Sequence, residues 1–241
     1  MNYNIAAVLV IACMMAFTTL PGDAHAQYVE ASASLGALSV FIDQGERISN
    51  RPVLQPEISL GIGWVTLGTF VNINAPFGDE QSFKMNQWDV YGTIAFPTGP
   101  IETEAGYGYS AEPIYSDGSL TLEPTHEVFA DVAFPLNGFT PRVHGLVDLL
   151  ADSGAFYGEL GLAREVRLGL NLFEVEGVLA AASGYFTDDL VLSHTALQVT
   201  YGFDFGTAAV EFVGGAQLTI NDTYRDLSSR FPVVIGTRVA L

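Results

Sequence analysis

Cysteine is almost absent: Cys13 is the only one in 241 residues. A disulfide framework is therefore excluded, and an exported domain built from this chain has to be held by other means, which an extended hydrogen-bonded sheet supplies. Cations are scarce too. Lys and Arg together number 9 against 27 Asp and Glu, for a formal net charge of −18. Nucleic acid is excluded as a partner, because binding a phosphate backbone requires a cationic surplus. Charge of either sign is low at 15%, where a soluble domain carries about a quarter. Beyond Phe17 no apolar run approaches the ~20 residues of a membrane-spanning helix, which excludes a helical membrane protein. Hydrophobic side chains are plentiful, at 49%, so the chain is not of the disordered class.

The first residues read as an address. Ile5 to Phe17 is uninterrupted apolar sequence, too short to cross a bilayer of about 30 Å but suited to the core of a signal peptide. Thr18 to Gly22 break a helix, and Ala24-His25-Ala26 offers small residues at a cleavage site. The leading Met-Asn-Tyr-Asn lacks Lys and Arg, so only the α-amino group supplies positive charge. The expectation is a signal peptide over 1–26 and one β domain over 27–241; the alternative is a short N-terminal anchor. Cys13 lies within the apolar core with further apolar residues after it, which argues against a lipidated N-terminus.

The rest of the chain reads in twos. Ile101, Thr103, Ala105, Tyr107 and Tyr109 alternate with Glu102, Glu104, Gly106, Gly108 and Ser110. Leu197, Val199, Tyr201, Phe203 and Phe205 alternate with Gln198, Thr200, Gly202 and Asp204, and Val210 and Phe212 flank Glu211. Alternation of this length, rich in Thr, Tyr, Phe and Val, predicts strands. Connections come in two kinds. Pro97–Pro100, Pro135–Pro141, Leu168–Asn171 and Phe205–Thr207 are short turns. Asp43–Arg51, Asn74–Asn86, Ala111–Glu123, Ala151–Gly154, Ser183–Asp189 and Asn221–Arg230 are longer polar loops. Short and long alternate, and the segments between them give about twelve strands of about 9–11 residues, the length of a tilted membrane-spanning strand.

Soluble sandwiches use strands of about 5–6 residues with no systematic difference between their two ends. A transmembrane barrel has short periplasmic turns, long outer loops, an apolar outside and a polar inside, and must close because lipid offers backbone groups no hydrogen bonds. The predicted fold is all-β: a monomeric, antiparallel, up-and-down transmembrane β-barrel in the outer membrane. A secreted soluble β domain is the alternative. Aromatics such as Trp88, Phe96, Phe134, Phe139, Phe156 and Phe231 fall near predicted strand ends, where interfacial girdles lie. The last strand, Phe231 to Leu241, alternates like the final strands that the barrel-assembly machinery reads, with Leu241 in place of a terminal aromatic.

A family resemblance enters through three stretches: Val40-Phe-Ile-Asp-Gln-Gly45, Ile48-Ser-Asn-Arg-Pro-Val-Leu-Gln-Pro56 and Leu67-Gly-Thr-Phe-Val-Asn72. Gly45, Ser49, Pro52, Gln55, Gly68, Phe70 and Asn72 follow a layout that resembles the opening of the TorF-type porin family of Gram-negative bacteria. Gln44 stands where that family usually has Arg, and Phe70 where Trp is common. The resemblance covers roughly the first third of residues 27–241 and implies an outer-membrane barrel of porin type, with solutes undefined.

With a barrel assumed, the pore-lining face carries Glu57, Asp89, Glu102, Glu104, Asp131, Asp148, Glu159, Glu174, Glu176, Asp204 and Glu211, with Arg142, Arg167, Arg238 and partly charged His144 as its cations. A lumen lined by one sign of charge concentrates counter-ions, so the expected function is passive diffusion of small solutes with a preference for cations. The bland reading is that these carboxylates pair with the arginines and fill a closed interior, giving a non-conducting barrel with a structural or surface-attachment role. Ala111–Glu123 is the candidate constriction. Catalysis is not expected: Ser193 and His194, adjacent in a strand, should point to opposite faces, and His144 and Asp148 stand too far apart along one strand for a hydrogen bond. The histidines show no metal-ligand spacing, and no cofactor is expected. Arg47, Arg51, Lys84, Arg225 and Arg230 form a cationic set on the outer loops that could meet lipopolysaccharide phosphates or simply pair with Asp43, Glu46, Asp79, Glu80 and Asp226. The partners expected are outer-membrane lipid and lipopolysaccharide, small solutes or cations, and the assembly machinery.

Overall fold

The computed structural model describes residues 29–44, 46–76, 82–116, 119–185, 188–206, 208–221 and 231–241. The predicted signal peptide and most of the last long loop, with Arg225 and Arg230, lie outside the described residues. Fourteen strands are found among these residues: β1 (Val29–Leu38), β2 (Phe41–Asp43), β3 (Glu46–Ser49), β4 (Val53–Ile62), β5 (Val65–Asn74), β6 (Lys84–Thr98), β7 (Ile101–Ser116), β8 (Ser119–Ala133), β9 (Phe139–Asp148), β10 (Phe156–Leu168), β11 (Asn171–Ser183), β12 (Val191–Asp204), β13 (Ala209–Thr219) and β14 (Val233–Ala240).

All but β2 and β3 form one closed antiparallel barrel of twelve strands in sequence order, the architecture expected from the alternation. Closure is made by β1, which pairs β4 on one side and β14 on the other, with Ser34 opposite Ala240 and Leu38 opposite Gly236. Ala33 N–H donates to Leu241 O (3.1 Å) and Leu241 N–H to Ala33 O (2.8 Å), so the last residue completes the seam. A closed sheet leaves no open edge, which is what makes strands admissible in hydrocarbon.

The register sorts side chains into two faces. Leu35, Ile58, Leu67, Val90, Ile94, Val128, Val143, Leu160, Leu162, Leu179, Leu197, Phe212, Leu218, Ile235 and Val239 are all exposed on the outer face. That is far more contiguous apolar surface than a water-soluble monomer carries. The opposite face looks into the barrel. Leu146, Tyr157, Ala180 and Ala182 form a buried apolar cluster there, with Phe129, Tyr185 and Val191 packed against it.

The ends differ as expected: β4–β5, β6–β7, β10–β11 and β12–β13 are joined by tight turns, with Gly63, Gly99, Gly169 and Gly206 at positive φ. Two connections on the other end depart from expectation. Ala111–Glu123 is largely not a loop: β7 and β8 stay paired out to Ser116 opposite Ser119, so the segment is a ladder projecting beyond β9, whose pairing with β8 reaches only Glu127–Asp148. The pairing runs on through Glu112 opposite Glu123, Pro113 opposite Leu122 and Ile114 opposite Thr121, and the polarity of the segment had masked it. The second departure is the β1–β4 connection, read as an outer loop. It is a small hairpin of β2 and β3, with Phe41 opposite Ser49 and Asp43 opposite Glu46, and Gln44 at the tip in the left-handed region (φ 47°). This hairpin folds into the lumen.

Candidate pore lining

The inward face is assembled across strands rather than along them. Glu57 stands opposite Phe70, Phe70 opposite Asp89, and Asp89 opposite Ser110. Glu104 stands opposite Asp131, Asp131 opposite His144, and His144 opposite Glu159. Directly paired residues share a face, so each of these rows is a band of the interior wall.

Around these bands the lumen encloses a cavity of about 500 Å³, walled by residues of β6 to β11 and by Asp43 and Gln44 of the inserted hairpin. Of the residues expected on the lining, Asp89, Asp131, Arg142, Glu159 and Glu176 meet at this cavity together with His144. Asp89 accepts a hydrogen bond from Gln87 Nε2 (2.9 Å), and its other oxygen, though buried, meets no hydrogen-bond donor among the described residues. His144 Nδ1 lies 2.8 Å from Asp131. Tyr157 donates to Glu159. Arg142 reaches from β9 to Glu176 (3.2 Å) and Glu174 (3.9 Å) on β11, two strands away.

The other expected residues lie outside this cavity. Glu57 accepts from Tyr91 (2.6 Å) and Ser34 (3.4 Å). Glu102 stands opposite Ala133 near the β6–β7 turn, and Glu211 stands opposite Arg238. Arg167 contacts Glu165 (3.4 Å), both largely solvent-facing. Two carboxylates do something else. Asp148 is 2% exposed and takes hydrogen bonds from Thr125 Oγ1 and the Leu150 amide, both at 2.7 Å, so it pins the β9–β10 connection. Asp204 accepts from the Gly206 amide (2.7 Å) and shapes the β12–β13 turn. A carboxylate at a strand end is drawn to the unpaired amides of the turn beside it.

Sequence reasoning missed Asp43, Gln44, Gln87 and Glu127. Glu127 was legible, since it lies in phase with Phe129 and Asp131. Asp43 and Gln44 were not, because a polar loop carries no signal telling whether it rises into water or turns inward. The hairpin is held by Gln87 Nε2 to Asp43 (3.3 Å), Gln44 Nε2 to Glu127 (3.2 Å), Ser49 Oγ to Asn74 Oδ1, and a tilted Phe41–Phe70 ring contact at 6.1 Å. Beside it, Gln55 donates to Asn72 (3.0 Å), Asn72 to Asn86 and Asn86 to Asn74 (3.2 Å), an amide ladder across β4, β5 and β6. Arg47 of the expected outer cationic set is on β3 of this hairpin, while Lys84 lies over the Tyr115 ring at 5.8 Å. Burial pushes the Asp43 carboxyl above its ordinary range, against the lowering effect of its hydrogen bond from Gln87.

Ser193 and His194 correct an expectation. They do not diverge: a bulge in the β11–β12 pairing skips Ser193, and Ser193 Oγ lies 3.2 Å from His194 Nδ1, both fully or nearly buried. The Tyr157 ring stacks on His194 at 6.2 Å. A nucleophile with 0% exposure offers a substrate no approach. Among the described residues no cluster of three or more His, Cys, Asp or Glu is arranged to hold a metal ion.

A closed sheet, an apolar exterior and a polar interior define a transmembrane β-barrel of the outer-membrane type. No family model and no curated protein sequence matches the chain. Among solved structures it is similar to an outer membrane channel from Pseudomonas putida F1, with a TM-score of 0.56 and 12% identity over 92% of this chain and 98% of that one. Looser likenesses include OmpF of Salmonella typhi, solved with daunomycin (TM-score 0.41, 7% identity, 88% and 97% of the two chains), and outer membrane phospholipase A of Escherichia coli (0.45, 9%, 88% and 91%). At these identities the likeness is one of fold.

Proposed function

We propose that this protein is a porin-like channel of the outer membrane that passes small solutes by diffusion and prefers cations. The observation that carries the reading is the polarity of the two faces: carboxylates outnumber arginines on the inward register, around a cavity enclosed by the polar inner face of a barrel whose outer face is apolar. A carboxylate-lined path in low-dielectric walls raises the local concentration of cations and lowers that of anions. The TorF-type resemblance in residues 40–72 points the same way, as does the export signal expected over 1–26. Outer-membrane lipid, with lipopolysaccharide at the outer rim, surrounds the barrel, and the assembly machinery inserts it.

The test is the current through purified protein in a planar bilayer with a salt gradient. Stepwise current with a cation-favouring reversal potential is expected, and neutralising Glu102→Gln with Glu104→Gln should move that potential toward zero. No steps, or an anion-favouring potential, would overturn the reading. A second reading, a closed barrel with a structural role, draws on the inserted hairpin and on the apolar cluster around Leu146 and Tyr157; it expects a silent bilayer.

A further inference from the structure

We infer that the β2–β3 hairpin is the constriction of the permeation path and that Asp43 sets the charge preference there; the inference rests on the channel reading above. Leu38 and Val53 are directly paired in the β1–β4 ladder, so their backbones are already neighbours. A tight turn would join them. Ser39 still bonds Ile235 of β14 and the Pro52 carbonyl still accepts from Ala75, so the segment between them is surplus to closing the sheet, and its β2–β3 hairpin lies inside the barrel rather than above it.

The hairpin crosses the lumen from one wall toward the other. It leaves the sheet between β1 and β4, meets β5 through Phe41 on Phe70, meets β6 through Asp43 on Gln87, and reaches β8 through Gln44 on Glu127. Across the cavity from its tip lie Arg142, Glu159 and Glu176 of β9, β10 and β11. The cavity is thus the space left between hairpin and far wall, and a solute travelling the lumen at this level passes through it. Asp43 and Gln44 are its hairpin side.

The chemistry of that side is acidic, and among the described residues no ion pair to Asp43 is formed. Asp43 faces Gln87 and Asp89 of β6 and Glu127 of β8, with Glu159 and His144 contributing more distant charges and Glu46 on its own hairpin. Among the described residues the one arginine on the cavity is Arg142, engaged by Glu174 and Glu176. Gln87 offers only its amide N–H groups to the two aspartates, and its buried carbonyl oxygen meets no donor among the described residues. Such a gap admits a small hydrated cation and turns away anions.

Two variants in a planar bilayer test this: residues 40–51 replaced by a short Gly-Ser turn, and Asp43→Asn, each checked for barrel assembly by heat-modifiable gel migration. The expected result is a several-fold rise in single-channel conductance for the replacement and a shift of the reversal potential toward zero for Asp43→Asn. Conducting wild type with an unchanged replacement overturns the inference and leaves the channel reading standing. A silent wild type with a conducting replacement supports the hairpin as the obstruction while removing passive diffusion as the resting function. Silence in both overturns both. If the replacement does not assemble, Asp43→Asn decides alone, and an unaltered reversal potential overturns the inference.

Discussion

The two halves of the lumen solve the problem of buried polarity differently. On the loop side, the interior is filled. The hairpin is tied to the amide ladder of Gln55, Asn72, Asn86 and Asn74 on one side, the apolar cluster around Leu146 and Tyr157 fills the other, the cavity of about 500 Å³ is left between them, and carboxylates are met by hydroxyls and amides. On the turn side, carboxylates are matched by arginines: Arg142 with Glu174 and Glu176, Arg167 with Glu165, and Arg238 opposite Glu211. Neutral donors hold a carboxylate in place without cancelling its charge, whereas an arginine cancels it. The filled half is therefore where charge selection is sharpest, and the arginine half is where it is moderated.

The sharpest way to break this comparison is to overfill the packed half. A Cβ on Gly106 would lie 2.3 Å from the Phe129 ring, while a Cβ on Gly108, two residues along the same face, would meet nothing within 4 Å. Gly106→Leu should cost about 3 kcal/mol, the upper end of ordinary overpacking, and Gly108→Ala should stay within about 0.5 kcal/mol, as read by denaturant unfolding in lipid vesicles. Equal effects would mean the Phe129 ring does not fill the space beside Gly106.

A smaller effect comes from pH. Burial raises the carboxyl of Asp43, which lies on the hairpin and outside the spanning strands. With the folded value above the unfolded one, docking of the hairpin is favoured most below the ordinary Asp range and weakens as pH rises through the raised value. The same rise ionises the constriction. Conductance and cation preference should both climb with pH across that window in wild type, and Asp43→Asn should flatten the climb. Glu46, Asp89, Glu112 and Glu127 share the surroundings with His144, so a residual slope in the variant belongs to them. The smallest effect is expected from Arg142→Ala, which unmasks Glu174 and Glu176 and should raise cation preference slightly with little loss of stability, since the arginine is half exposed.

Much of the fold was legible because its period is two. The phase of Glu102, Glu104 and Tyr107 on β7, or of Glu174 and Glu176 on β11, assigns faces before any coordinates, and short and long connections assign ends. What was not legible depends on contacts between distant segments. Nothing in Val40 to Asn50 announces that Phe41 will meet Phe70, or that Gln44 will find Glu127, 83 positions away. The bulge that brings Ser193 beside His194 is likewise invisible to alternation, since a single extra residue changes the phase of everything after it. The projecting β7–β8 ladder was misread because polar residues on a strand beyond the membrane look like those of a loop.

The central claim is that lipid touches one face of each strand and water the other. Single cysteines along β10, introduced after Cys13 is replaced by serine, test it directly. Glu159 and Gly161 border the cavity, whereas Leu160 and Leu162 are exposed on the outer wall, Leu160 by 60%. With the protein in lipid vesicles, a small water-soluble cationic thiol reagent should label positions 159 and 161 and leave 160 and 162 unmodified. Labelling without alternation, or labelling confined to 160 and 162, would contradict the account.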